Sequence, residues 1–134
     1  MRKNISTNDR LGVYNKCDGH CCYCGKSISF EKFHIDHFYP IWNQVTTQNI
    51  FGIDVHDSIN LMPSCGSCNH YKRGDMPEEF RKKIQSIHER IIKQYITKVG
   101  IDFGIIVIKP FNGMFYFESN PQPSVKHPLP LIKE

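Results

Sequence analysis

The chain has 134 residues, 40% of them hydrophobic. That is enough for one modest core and too little for two ordinary ones, so a single domain over residues 1–134 is expected. No stretch approaches the roughly eighteen consecutive apolar residues of a membrane span, and Met1-Arg2-Lys3-Asn4-Ile5-Ser6-Thr7 lacks the apolar run of a secretory signal. A reducing, cytoplasmic setting without a membrane partner follows as the expectation. The net charge of +4 resides between Lys72 and Lys98, where the basic residues outnumber Asp75, Glu78, Glu79 and Glu89; elsewhere the two signs balance. Such a segment suits a polyanion, and phosphate contacts would make its binding salt-dependent, although a Lys-rich helix face that is merely solvated has the same charge pattern.

In chain order, residues 1–16 are polar with scattered apolar positions and read as a short helix or an arm. Asp18-Gly19 and Gly25-Lys26 are turn signals around a first Cys-x-x-Cys pair, Cys21 and Cys24. Phe33 to Phe38 alternates with period two until Pro40 and reads as a strand ending in Asp36-His37. Residues 43–57 are polar and read as a long functional loop. Asn60-Leu61-Met62 is a short extended piece leading to a second pair, Cys65 and Cys68, and Cys68 to Arg73 opens a short helix that Gly74 stops. Pro77, followed by Glu78 and Glu79, then starts a helix over 77–98. Its apolar stripe is Phe80, Ile84, Ile87, Ile91 and Tyr95, with Lys82, Lys83, Arg90 and Lys93 opposite and Gly100 at its end. Residues 101–118 read as a β-hairpin around Asn112-Gly113, and the proline-rich tail 119–134 as an extended arm. Phe38 and Trp42 are expected in the core, although Trp42 lies near the polar loop and could stack on a base. His56, His88 and His127 read as surface histidines.

The cysteines constrain the fold most. A Cys-x-x-Cys knuckle brings two sulfurs to one side of the backbone, and two knuckles supply the tetrahedral thiolate shell that zinc prefers. In a reducing compartment, metal is favoured over disulfide. Cys21, Cys24, Cys65 and Cys68 are therefore the expected ligands of a structural Zn²⁺; Cys17 and Cys22 are left as packed thiols, with Cys17, His20 or His34 as substitutes for one ligand. Between the knuckles, Asp36 and His37 are adjacent on an extended segment, so their side chains point to opposite faces. One can hold a metal while the other reaches a water. Asn69 directly follows Cys68, so the second knuckle sets where its amide points. These are the parts phosphodiester hydrolysis needs: a base, a divalent ion and cations for phosphate.

The spaced string Cys21-x-x-Cys24, Ile35-Asp36-His37-x-x-Pro40, Asn60-Leu61, Cys65-x-x-Cys68-Asn69-x-x-Lys72-x-Gly74 resembles the HNH endonuclease family. The resemblance covers residues 21–74 and implies an α+β, ββα-metal fold stabilised by a four-cysteine zinc site. It implies His37 as general base, Asp36 and Asn69 as ligands of a catalytic Mg²⁺ or another divalent cation, and Asn60 as the residue that braces the loop and orients His37. Asn69 stands where the name-giving pattern has its last histidine, and His70, one position on, is the alternative ligand. Lys72, Arg73, Lys82, Lys83, Arg90 and Lys93 are the candidate nucleic-acid contacts. The implied activity is hydrolysis of DNA, with RNA as the other polyanion to consider; cutting both strands would require a homodimer, a partner subunit or two encounters. The competing class is a non-catalytic, zinc-stabilised nucleic-acid-binding module, which would need none of Asp36, His37, Asn60 and Asn69.

Overall fold

A computed structural model describes residues 5–121. Helix α1 (Thr7–Asn15) begins where the Ser6 hydroxyl accepts a hydrogen bond from the Asp9 N–H at 3.1 Å, an N-cap that satisfies one of the helix's orphan donors. At its far end, Lys16 is buried and its ammonium donates to the carbonyls of Ser58 and, at 2.8 Å, Leu61. The first knuckle follows. Strand β1 (His34–His37) then pairs antiparallel with β2 (Leu61–Ser64), setting Asp36 opposite Met62 and His37 opposite Leu61. Helix α3 (Gly66–Lys72) packs on β1, its first turn capped by the Cys65 sulfur, which accepts from the Cys68 N–H at 3.4 Å. β1, β2 and α3 form a ββα unit, and the fold class is α+β as expected.

The core lies between this unit and the chain beyond it. Phe80, fully buried, meets Tyr23 edge-on at 5.2 Å and stacks on Phe115 at 5.6 Å. Phe38 is buried in the same cluster, as its sequence context suggests. A second cluster, Val13, Phe33 and Leu61, seats α1 against the β1–β2 pair.

Five expectations differ from the structure. The stretch 43–57 is not all loop: it contains α2 (Gln44–Phe51), closed by Gly52 in the left-handed conformation at φ 71°. The chain then doubles back so that the Gln44 amide oxygen accepts from the Val55 N–H at 2.8 Å. Trp42 is 66% exposed rather than in the core, its indole N–H donating to the Gly74 carbonyl at 2.6 Å.

The basic helix over 77–98 is three helices, α4 (Pro77–Gln85), α5 (Ile87–Ile92) and α6 (Tyr95–Asp102). At the first break the Ser86 hydroxyl donates to the Lys83 carbonyl at 2.8 Å, competing with the backbone as serine does in helices. At the second, Gln94 is extended with ψ 133°. The breaks divide the apolar stripe: Phe80 enters the core, whereas Tyr95 is 83% exposed.

Gly100 does not end the last helix; it is buried within α6, and a Cβ there would lie 2.6 Å from Ile106 Cδ1. The expected hairpin is absent because of where its backbone amides go. The N–H groups of Ile105 and Ile106 both donate to the Gly100 carbonyl, at 2.9 and 3.1 Å, and those of Tyr116 and Phe117 donate to the carbonyls of Tyr23 and Cys22, at 3.0 and 2.9 Å. Amides used this way cannot form a ladder, and 101–118 carries no strand; it ends in α7 (Tyr116–Ser119). Gly113 still makes a turn at φ 89°, with the Asn112 side chain accepting from the Met114 N–H. Of the proline-rich tail, residues 122–134 lie outside the described residues, as does His127.

Phe80→Ala should destabilise the protein by about 3–5 kcal/mol, the usual cost of truncating a fully buried phenylalanine. Urea unfolding of the zinc-loaded protein measures it, and a loss below about 1 kcal/mol would show that the Tyr23–Phe80–Phe115 contact is not central to the core.

Candidate metal centre and the site beside it

The two knuckles bring their sulfurs together. Ligand atoms of Cys21, Cys24, Cys65 and Cys68 all lie within 4.8 Å of one another, and Cys24 Sγ is 3.8 Å from Cys65 Sγ. Four sulfurs about 2.3 Å from a tetrahedral zinc would sit roughly 3.8 Å apart, so the donor set fits that ion in number, chemistry and spacing. Hydrogen bonds from Cys24 and Cys68 draw Cys21 well below the ordinary thiol range, whereas bonding to Cys21 pushes Cys24 up to about 11 and Cys68 well above its usual value. Four thiolates at this distance need a cation between them. Cys17 and Cys22 are different: burial pushes Cys17 up to about 12 and Cys22 well above its ordinary value, so they pack as neutral thiols. His20 packs behind the knuckle, its ring stacked on Tyr116 at 5.1 Å, and His34 is exposed.

Asp36 lies at the junction of knuckle, strand and helix. It is 5% exposed, and its Oδ2 accepts from the Tyr23 hydroxyl and faces Lys72 Nζ at 3.2 Å. Burial raises the Asp36 carboxyl above its ordinary range, and the Lys72 charge together with bonds from Tyr23 and Lys72 opposes that rise. Both partners use Oδ2, which fixes the rotamer and leaves Oδ1 as the oxygen able to meet an ion. Lys72 is fully buried, and its ammonium also donates to the His37 carbonyl at 3.1 Å. It therefore locks β1 to α3 and does not present its charge to a phosphate. Asn69 is half-buried on the same helix, three residues before Lys72 and so near the same face. His70 is exposed.

His37 faces the other way. Its ring is half-buried, with Nε2 3.1 Å from Nδ1 of His56 and ring centroids 5.0 Å apart. Asn60 is fully buried and ties together the two segments that carry these histidines. Its Oδ1 accepts from the Tyr39 N–H at 2.8 Å, and its Nδ2 donates to the carbonyls of Tyr39 at 2.9 Å and Val55 at 2.8 Å. An asparagine with three such bonds in a dry site is costly to replace.

The basic residues separate by position. Arg73, Lys82, Arg90 and Lys93 are exposed; Lys83 is half-buried, paired with Asp75 at 2.6 Å and donating to the Tyr71 carbonyl at 2.8 Å. Arg90 donates to the Tyr71 hydroxyl at 2.6 Å.

Two site residues escape a reading of the sequence. Tyr23 is an unspecified position inside the first knuckle, and nothing in its spacing signals a bond to Asp36. His56, expected at the surface without a partner, touches His37 because α2 and Gly52 fold the intervening loop back.

No protein family matches the chain in sequence, and no curated protein matches it. Among solved structures, the crystal structure of the Type II-C Cas9 enzyme from Actinomyces naeslundii is similar, with a TM-score of 0.47 and 24% identity; the match covers 62% of this chain and 9% of that one. This chain therefore corresponds to a small part of that enzyme's length. No helix among the described residues is long and apolar enough to cross a membrane.

Purified protein should carry one zinc per chain by elemental analysis, and Cys65→Ser should lose both the metal and the cooperative unfolding transition, since structural zinc supplies on the order of 10 kcal/mol. Well-folded protein with neither zinc nor another bound metal would contradict this assignment.

Proposed function

We propose that the protein is a metal-dependent endonuclease of the HNH type that hydrolyses phosphodiester bonds in DNA. The observation that carries this reading is the ββα unit itself: Asp36 and His37 are adjacent on β1, Asn69 is on the helix packed against that strand, and the four-cysteine cluster lies at the base of both. His37 is the proposed general base, taking a proton from the attacking water at a ring nitrogen. Asn60 holds the backbone after His37 and so limits the directions its imidazole can take. Lys72 and Tyr23 fix Asp36 from behind. Oδ1 of Asp36 and the amide oxygen of Asn69 are hard donors suited to Mg²⁺, which would supply stabilisation of the charge developing on the phosphate and leaving oxygens. Arg73, Lys82, Arg90 and Lys93 are the exposed cations proposed to meet the backbone of the nucleic acid, with Lys83 supporting them through Asp75 and Tyr71.

One observation favours the second reading, a zinc-stabilised nucleic-acid-binding module without catalysis: the Asp36 carboxylate is already neutralised by Lys72, which weakens it as a metal ligand relative to a free carboxylate. The same assay separates the two. Zinc-loaded protein incubated with supercoiled plasmid should nick or linearise it with Mg²⁺ or Mn²⁺ and not with EDTA. His37→Ala should lower the rate by roughly a hundredfold or more, the usual contribution of a general base, while zinc content and DNA affinity stay at wild-type values. DNA binding without cleavage under any divalent ion would establish the binding module instead.

A further inference from the structure

His37 and His56 meet edge to face, with an interplanar angle of 87°. A hydrogen bond between two imidazole nitrogens requires one N–H and one lone pair, so the contact at 3.1 Å between His37 Nε2 and His56 Nδ1 commits each ring to a tautomer. The placement of His56 is built rather than incidental. Its backbone N–H donates to Asp54 Oδ1 at 2.7 Å. The preceding residue, Val55, is held at both ends of its backbone, its N–H by Gln44 and its carbonyl by the buried Asn60. Asn60 grips Tyr39 by the same side chain, two residues beyond His37. One buried amide thus sets the distance between the segments carrying the two rings, on a loop whose tip is otherwise solvent-exposed.

We propose that His56 is a positioning residue for His37: Nδ1 of His56 accepts a hydrogen bond from Nε2–H of His37. This rests on the endonuclease reading, in which His37 is the base. The bond holds the His37 ring in one orientation and keeps it in the tautomer that carries its lone pair on Nδ1. That nitrogen then takes the proton of the attacking water. The imidazolium so formed retains its Nε2–H on the His56 lone pair, which stabilises it in the way an oriented acceptor supports the histidine of a catalytic triad. His56 keeps its own proton on Nε2, at the exposed edge of its ring. It touches neither the attacking water nor the phosphate, and its contribution is to orient His37.

The test uses the full-length, zinc-loaded protein labelled with ¹⁵N and measured at a pH where both rings are neutral. Long-range ¹H–¹⁵N correlation spectra should show His37 as the Nε2–H tautomer in wild type. His56→Asn, whose amide oxygen can stand near the position of Nδ1, should preserve that tautomer, and His56→Leu should give a mixture. In plasmid cleavage with Mg²⁺, His56→Leu should lower kcat by at least about tenfold, the scale seen when a partner that orients a functional histidine is removed, with KM within about twofold of wild type. His56→Asn should recover most of that loss. If His56→Leu cleaves as wild type and keeps the tautomer while His37→Ala is inactive, the inference is overturned and the base assignment stands. If His37→Ala also cleaves as wild type, the endonuclease assignment of His37 falls and the inference falls with it. A folded His56→Asn protein as slow as His56→Leu would overturn the acceptor role. Should wild type not cleave at all, the spectra alone decide: a mixed His37 tautomer overturns the pairing, and a single Nε2–H tautomer that His56→Leu abolishes upholds it.

Discussion

The contact on which the rest of the structure depends is the buried pair of Asp36 and Lys72, completed by the Tyr23 hydroxyl. Each member comes from a different part of the chain: Tyr23 from inside the first knuckle, Asp36 from β1 and Lys72 from the last turn of α3. A carboxylate and an ammonium removed from water each carry a desolvation cost of several kcal/mol, which only good geometry and further hydrogen bonds offset. Here the offset comes from Tyr23 on one side and the His37 carbonyl on the other. The pair therefore need not add much net stability. It does make other registers of β1 against α3 expensive, because a shift of one residue would leave both charges buried and unpaired.

The four-cysteine cluster and the aromatic core act through this junction. Cys21 and Cys24 flank Tyr23 in the chain, and Cys65 and Cys68 open the helix that ends in Lys72. A metal bound by the four sulfurs would fix both flanks of the pair at once. On the other side of Tyr23, Phe80 and Phe115 pack edge-on against its ring at 5.2 and 5.1 Å, and the amides of Tyr116 and Phe117 bond the carbonyls of Tyr23 and Cys22. Phe115 in turn lies under the Arg81 guanidinium, 4.4 Å from its centroid, and Arg81 pairs with Glu118 at 2.6 Å. The segment beyond residue 101 thus serves as a buttress for the knuckle. A hairpin would have used those same amides for its own ladder.

How far the sequence could be read follows from the range of each interaction. The knuckles, β1 and the presence of a short helix at the second knuckle were legible because their signals are local: Cys-x-x-Cys spacing and period-two alternation. Even there the helix starts earlier, at Gly66, and its stop is Arg73 at φ 51° rather than Gly74. The continuous helix over 77–98 was misleading because apolar periodicity passes through Ser86 and Gln94 unchanged, whereas the breaks come from a serine side-chain bond and one extended residue. Asn112-Gly113 did produce a turn, but a turn makes a hairpin only if the flanking amides have no better partner. At the candidate site, Asp36, His37, Asn60 and Asn69 are named by the resemblance of the spaced string to the HNH family, and their roles are what that resemblance implies. That Lys72 is buried, that Tyr23 bonds Asp36 and that His56 reaches His37 all depend on contacts across more than ten residues, which no local pattern encodes.

The most direct measurement is a double-mutant cycle on the buried pair in zinc-loaded protein, with Lys72→Met, Asp36→Leu and the two combined, followed by urea unfolding. Removing one partner should cost about 3–5 kcal/mol, because the other charge is left buried alone. The double variant should lose clearly less than the sum of the two, by more than about 1 kcal/mol. Losses that add to within about 0.5 kcal/mol would mean the two residues act independently, and would contradict the account of a junction built on this pair.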